Sequence, residues 1–394
     1  MKTKLTIVFA IILFQLCNAQ QLQTVLPKIE NYTKGELEIK VAPFGLEHPI
    51  SVGKITADGT IHFNWPALDL NKIEDSDLYK TPIKQFIGGS FCKDPNAVIT
   101  NKNVKPVKVE YLYLHKYNQV VGYIVPSTQI ALQGQGHNKE QLGSTLYWVY
   151  SENETSAKAS CSKNKRWEGA YDFNETTVYD FQFKKGWNLV SYTLKEIEEW
   201  DNGKKKGSLP KTKMVQSVAK IPSNIHWNLN YTADDELLEI EHKLVTQTPI
   251  TKEQYESWLP KKLGNLKRTT YEIGKTLERM PTLNNIEFIF EKGNKKTTVT
   301  LVDCAGNKDA ASMYTLMKDM ASRDWKDDQE TGYRGASKMD DTRVMTVYNE
   351  KEAKTTLNYN ANGRFLVKAE GTNIKPEELW EILKGLQIEK LLKN

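Results

Sequence analysis

From Glu36 to about Asn230 the apolar positions recur with a period of two, in short runs separated by turn residues. This is the pattern of β-strands with one buried face. GELEIKVAPF at residues 35–44 alternates, and in VGKITADGTIHFNWP at 52–66 the triplet Ala57-Asp58-Gly59 turns one alternating run into the next. Further runs are VKVEYLYLHK, VVGYIVPS, STLYWVYS, TTVYDFQFKK, WNLVSYTL and IHWNLNYT. Residues 20–232 are therefore predicted to form an antiparallel β-sandwich region, as one sandwich or as two small modules in series. Two loops punctuate it, Gln133 to Gly143 and the lysine-rich Asp201 to Lys213. The second is read as a solvated charge run rather than a patch for an acidic partner.

The pattern changes near Ala233. Thr251 precedes Gln254 at capping-box spacing and predicts a helix through about Leu263 that carries Tyr255, Trp258 and Leu259. IEFIFEKG and KKTTVTLVDC predict a hairpin around Gly293-Asn294. Asp309 to Arg323 reads as a helix in which Met313, Leu316, Met317 and Met320 follow the spacing of a buried stripe. GYRGASKM, TRVMTVYNE and a hairpin turned at Asn362-Gly363 come next. A last helix starts with Pro376 in its first turn and has Leu379, Ile382, Leu383 and Leu386 on its apolar face. Residues 233–394 are accordingly predicted to be an α+β domain with an antiparallel sheet and two to three helices, making the chain an α+β multidomain protein.

Residues 1–19 fit neither pattern. Lys2 and Lys4 precede twelve residues, Leu5 to Leu16, that are apolar except for Thr6 and Gln15, a stretch too short to span a bilayer. Cys17-Asn18-Ala19 then offers small residues for cleavage between Ala19 and Gln20, which predicts a secretory signal peptide. A lipid-modified Cys17 is the rival reading, but Gln15 and Leu16 stand where that processing takes small residues. No later run is long enough for a membrane-spanning helix, so the expected address is periplasmic or secreted.

In that compartment the three remaining cysteines matter. Cys92 and Cys161 lie in polar, turn-rich stretches and are expected to be bridged, with Cys304 a buried free thiol. The charges, 54 basic and 49 acidic residues, nearly balance, so neither nucleic acid nor an anionic membrane is an expected partner. At 39% hydrophobic and 10% aromatic residues the chain is able to build cores.

The order of several short motifs in the second half resembles a known group. Trp258-Leu259-Pro260 leads into Leu263-Gly264-Asn265-Leu266-Lys267-Arg268. Val302-Asp303-Cys304-Ala305-Gly306 ends a strand, and Gly332-Tyr333, Tyr348, Asn362-Gly363-Arg364-Phe365-Leu366-Val367 and Glu370-Gly371 follow. From Glu253 to Gln387 the chain resembles small, functionally uncharacterised exported domains of bacterial envelope proteins. The resemblance implies an envelope location and an α+β fold, and it brings no catalytic residues. The first half resembles, more loosely, sandwich modules of exported Bacteroidetes proteins.

Candidate chemistry is sparse. The six histidines, His48, His62, His115, His137, His226 and His242, show no metal-ligand spacing, and no CxxC, GxSxG or phosphate loop occurs. His242, after the acidic run DDELLEIE, is read as part of a polar face. Gly134-Gln135-Gly136 lacks a strand-then-helix context. Asp327-Asp328 and Asp340-Asp341 are read as solvated turn acids rather than paired carboxylates for glycoside hydrolysis. Met313, Met317 and Met320 suit Cu(I) but equally suit a core. Trp148 and Trp187 are expected between sheets, and Trp167, flanked by Arg166 and Glu168, is the candidate exposed ligand platform.

With no cofactor, metal or catalytic set expected, the leading functional expectation is an exported, non-catalytic envelope protein that binds a protein or glycan partner. A secreted hydrolase with a dispersed site and a periplasmic copper handler are the alternatives.

Overall fold

The computed structural model describes residues 26–42, 49–73, 80, 82–88, 92, 94–109, 111–129, 140–167, 171–201, 203, 206–276 and 283–393. The signal segment with Cys17, Ala19 and Gln20, the Gly134-Gln135-Gly136 stretch, His48 and His137 lie outside the described residues. The chain divides into two compact units between Ala233 and Asp234. The two sheets and five α-helices of the described residues make it a β-rich α+β multidomain protein.

The first unit opens with β1 (Leu37–Val41), β2 (Ile50–Ile55) and β3 (Ile61–Phe63), the last two joined through the Ala57-Asp58-Gly59 turn. A short helix α1 (Ile83–Phe86) is followed by β4 (Val98–Ile99), β5 (Val107–Val109), β6 (Leu112–Lys116) and β7 (Gln119–Ser127). Four long strands come next: β8 (Gly143–Ser151), β9 (Thr155–Trp167), β10 (Tyr171–Phe183) and β11 (Gly186–Asp201). Strands β12 (Lys206–Val218) and β13 (His226–Tyr231) complete the unit. All pair in one sheet of order β3-β2-β1-β6-β7-β8-β11-β12-β10-β9-β4, with β13 added to β7 and β5 to β8. The β7–β8 junction is a single residue pair, Ser127 with Thr145, so the sheet is divided there into two leaves.

Aromatic rings join the leaves. Phe63 from β3 and Trp227 from β13, at opposite ends of the first leaf, have ring centroids 5.5 Å apart, which requires that leaf to curl. Trp148 from β8 lies 5.9 Å from Phe63, and Trp65 lies 5.1 Å from Trp148 and 4.7 Å from Trp187. Trp187 donates its indole N–H to the Pro66 carbonyl at 2.6 Å, which satisfies the polar end of a buried ring. Trp148 and Trp187 thus pack between the leaves, as the alternation predicts. A second core gathers Phe181, Phe183, Val149 and Val190 with Ile83 and Ile87 around α1. Beside it the Cys92–Cys161 disulfide ties the segment after α1 to β9 across 69 residues, with Cα atoms 4.8 Å apart.

Two features depart from the sequence pattern. Strand β12 inserts between β10 and β11, which are consecutive in sequence, and so runs antiparallel to β11 and parallel to β10. Most of the lysine-rich run from Asp201 to Lys213 is therefore strand rather than solvated loop. Pro210 is tolerated because β10 pairs with β12 only from Thr212 onward, leaving the edge at Pro210 without a ladder bond to lose. Lys213 lies 2.9 Å from the buried Glu175 carboxylate, which accounts for a lysine deep in the strand.

The second unit is a nine-stranded antiparallel sheet with helices. Its helices are α2 (Asp235–Thr246), α3 (Lys252–Trp258), α4 (Lys308–Met320) and α5 (Pro376–Leu383). Its strands are β14 (Lys262–Leu263), β15 (Leu266–Ile273), β16 (Asn285–Lys292), β17 (Lys295–Asp303), β18 (Trp325–Gln329), β19 (Gly332–Met339), β20 (Thr342–Asn349), β21 (Lys354–Ala361) and β22 (Phe365–Thr372). They stand in the order β14-β15-β16-β17-β22-β21-β20-β19-β18. The Thr251–Gln254 capping box starts α3, yet the helix ends at Trp258 because Pro260 cannot continue it, and Leu263 belongs to a strand. The apolar face expected of α5 is buried throughout.

The register of α4 differs from expectation. Its buried face is Ala310, Ala311, Tyr314 and Thr315; Met313 and Met317 flank it, while Leu316 and Met320 are 59% and 48% exposed. Small residues face the α2–α4 contact and leave the larger apolar ones at its border. The core side of α2 includes Glu241, which accepts hydrogen bonds from Ser312 at 2.8 Å and Thr315 at 3.4 Å.

Val302-Asp303-Cys304-Ala305-Gly306 is the polar keystone of this unit. Asp303 is fully buried and accepts from the Ile250 and Ala305 backbone N–H groups at 2.7 and 3.1 Å, from Asn284 at 3.3 Å, and from Nε and a terminal nitrogen of Arg364 at 2.6 and 2.8 Å. Adjacent Cys304 is a free buried thiol, pushed up to about 12 by burial.

Candidate binding surface

Strand pairing in the first leaf sorts its side chains onto two faces. Ile39, Leu112, Leu114 and Ile124 point to the core, and the alternate positions form the outer face. Register places Ser51, Lys40, Tyr113, Tyr123 and Asn230 in one row across β2, β1, β6, β7 and β13. A second row on the same face holds Lys54, Glu38, His115 and Val120.

Two local devices shape this face. The β6–β7 hairpin turns on Tyr117-Asn118, both at positive φ (53° and 62°), the conformation that matches the twist of the flanking strands. A register shift after Leu114 leaves Val121 as an extra residue, and its carbonyl accepts from the Thr232 and Ala233 N–H groups at 2.9 and 3.3 Å. Gly122 follows, where a Cβ would stand 2.1 Å from the Asn230 carbonyl oxygen, so only glycine lets β13 approach.

Tyr111, just before β6, joins the row. Its ring lies 6.0 Å from Tyr113, tilted by 45°, and 5.7 Å from Tyr123, almost perpendicular at 74°. The rings form a walled corner rather than a flat platform. Tyr111 is 45% exposed, whereas Tyr113 and Tyr123 are half-buried. The Asn230 amide donates to the Tyr123 hydroxyl. Lys40 lies 3.0 Å from Glu38. Partial burial opposes ionisation of Glu38, but hydrogen bonds from Lys40 and Ser51, aided by the Lys40 and His115 charges, outweigh it and hold the carboxyl below its ordinary value.

His115 is the unusual member. It is 6% exposed with both ring nitrogens buried, and neither has a hydrogen-bond partner among the described residues. Burial, reinforced by the Lys40 charge and opposed by Glu38, pushes its pKa down and favours the neutral ring. An imidazole so placed is an exception to the rule that buried polar groups are paired.

The other candidates fall elsewhere. Trp167 ends β9, and its side chain lies outside the described residues. Asp327 and Asp328 sit on the edge strand β18 rather than on a turn, Asp327 held by Arg334 at 2.7 Å and Asp328 by Lys326 at 2.6 Å. Asp340 is in a turn at φ 51° and accepts from Trp380 and Lys384, each at 2.9 Å. Met313 and Met317 pack against the α2–α4 core beside Ile240. Among the described residues no group of three or more His, Cys, Asp or Glu side chains is placed to hold a metal ion. No described helix is long and apolar enough to cross a membrane. The tyrosine corner was missed in the sequence because only the extra residue Val121 sets Tyr123 on β7 opposite Tyr113 on β6, beside Tyr111 in the preceding loop. The YLYL alternation at 111–114 was its only local sign.

Comparison with family models, curated proteins and solved structures returns no significant match for this chain.

Proposed function

We propose that the chain is an exported, non-catalytic envelope protein whose first unit binds a protein or glycan partner on the outer face of its first leaf, the second unit serving as an accessory domain. The observation that carries this reading is the tyrosine corner, an exposed aromatic group set among amide, ammonium and carboxylate side chains. Tyrosine gives apolar contact area and a hydroxyl at little conformational cost, which suits recognition. Three of the carboxylates singled out for hydrolysis, Asp327, Asp328 and Asp340, are engaged in separate surface ion pairs, which favours binding over catalysis. The export expectation rests on the leader and on the disulfide, a bond that persists in oxidising compartments.

Affinity capture from native bacterial envelopes with the immobilised mature chain, read by mass spectrometry and glycan analysis, tests the proposal. A reproducible partner whose capture Tyr111→Ala abolishes supports it. Equal capture by the wild type and the variant contradicts it.

A further inference from the structure

We propose that β4, with Asp94 and Thr100 on either side of it, is a strap over the outer edge of β9, and that the Cys92–Cys161 disulfide is its redox-sensitive latch. Reduction frees the edge for antiparallel pairing with β9 of a second copy.

Strand β9 is thirteen residues long and lies next to the end of its sheet. Its inner side pairs with β10 along the whole length, from Thr155 opposite Phe183 to Trp167 opposite Tyr171. On its outer side β4 pairs with Ala157 and Lys158 alone. Side chains extend that cover in both directions. Thr100 donates its N–H to the Ser156 carbonyl at 3.0 Å, and its hydroxyl accepts the Ser156 N–H at 2.8 Å. The Asp94 carboxylate accepts the Ser160 N–H at 2.7 Å. Cys92 then bonds to Cys161. Past Cys161 no described strand pairs with the outer side of β9.

An uncovered edge is a row of N–H and C=O groups ready for another strand. In β9 the groups of Ser156 and Ser160 face outward, and by alternation those of Ser162 and Asn164 continue the row. The strap meets the first two with a hydroxyl, a carbonyl partner and a carboxylate, and the disulfide is the covalent tie that keeps them in place. Neither cysteine is fully buried. A dithiol reductant opens the bond by attack of one thiolate on a sulfur, and its second thiol resolves the mixed disulfide. Two thiols remain on the chain while the reagent becomes a disulfide.

The charges along the edge select the occupant. Glu152 and Glu154 precede β9, and Lys163, Lys165 and Arg166 lie near its end. Antiparallel pairing of two copies brings the acidic end of each edge to the basic end of the other. An axis at Ala159 sets Lys158 opposite Ser160 rather than opposite another lysine. The edge is thus complementary to itself, as a two-fold contact requires.

The experiment compares residues 20–394 before and after dithiothreitol, by light scattering over a concentration series and by hydrogen exchange. Reduction should double the mass of the scattering species at high concentration. In dilute reduced protein the Ser156 and Ser160 amides should exchange at least about tenfold faster than in the oxidised chain. Cys92→Ser with Cys161→Ser should dimerise without reductant. Ser162 stands opposite Thr176, hydroxyl to hydroxyl at 3.0 Å, with its N–H turned away from β10. Ser162→Pro therefore removes an edge donor and spares the β10 ladder; it should abolish the dimer and keep the faster exchange. If that variant proves unstable, Glu152→Lys with Glu154→Lys replaces it and should weaken the dimer at least about fivefold. A reduced chain that stays monomeric overturns the proposal, as does a dimer that these substitutions leave intact. Unchanged exchange at Ser156 and Ser160 also overturns it. So does circular dichroism showing that reduction unfolds the whole first unit, because the bond then holds a fold rather than a cover.

Discussion

Replacing Asp303 by alanine removes the carboxylate on which five donors from four segments converge. In the native unit Asp303 has no solvent exposure and the Arg364 side chain only 13%, so the guanidinium left behind is a largely buried, uncompensated charge. The Ile250 N–H, just before the Thr251 cap of α3, and one Asn284 donor also lose their acceptor. Breaking a buried ion pair from one side costs about 3–5 kcal/mol, and the orphaned backbone donors keep the expected loss in the upper part of that range. Asp303→Asn, which keeps one acceptor oxygen without the charge, should lose less, about 1.5–3 kcal/mol. The assay is urea unfolding of residues 20–394 followed by circular dichroism, in which the transition of the second unit should move to lower urea. Because the two groups act together, a double variant with Arg364→Met should be less destabilised than the two single losses added. A loss under about 1 kcal/mol for Asp303→Ala, or strict additivity in the double variant, would refute the keystone reasoning.

Other outcomes follow from the same structure. His115 has its native pKa pushed below the ordinary 6.5, so the unfolded chain takes up a proton at higher pH than the folded one. Its contribution is complete above pH 6.5 and is lost progressively as pH falls below that value; the nearby charged groups are Glu38 and Lys40 on β1. Urea titrations at several pH values should show this slope and its loss in His115→Phe. Reducing Cys92–Cys161, or substituting both residues with serine, opens a 69-residue loop and should cost about 4 kcal/mol by the loop-entropy relation, read as a fall in the first unit's melting temperature. Tyr255 is fully buried with no partner for its hydroxyl among the described residues, so Tyr255→Phe should be neutral or stabilising by up to about 1 kcal/mol, measured by the same urea method. Cys304, raised to about 12 by burial, should resist thiol reagents in the folded protein and react once unfolded, as mass spectrometry would record.

The hairpins were legible wherever alternation met a turn signal, at Ala57-Asp58-Gly59, Gly293-Asn294 and Asn362-Gly363, because both signals are local. The bridge between Cys92 and Cys161 was legible from the polar, turn-rich stretches around both residues, once export was taken as the expectation. Helix α2 was not, since its core side includes Glu241 and its surroundings are acidic; only the hydroxyls of Ser312 and Thr315, 71 and 74 residues away, explain a carboxylate there. The α4 stripe was misplaced for a related reason. Alanines set the closest approach of the two helices, and a hydrophobicity pattern gives most weight to the methionines. Strand β12 shows a third limit. Its lysines and proline read as a loop until β10, arriving from the other side, supplies Glu175 and leaves the Pro210 edge unpaired. The tyrosine corner depends on the extra residue Val121 in β7, which sets Tyr123 opposite Tyr113 and which a period-two pattern does not anticipate.

Co-sedimentation of residues 20–394 with purified bacterial envelopes tests the proposed binding face most directly, comparing wild type, Tyr111→Ala and Tyr271→Ala. Tyr271 is a comparably exposed tyrosine, 43%, in the second unit and serves as the control. The wild type and Tyr271→Ala should sediment alike, and Tyr111→Ala should bind at least about fivefold more weakly. Equal sedimentation of all three, or loss with Tyr271→Ala alone, would contradict it.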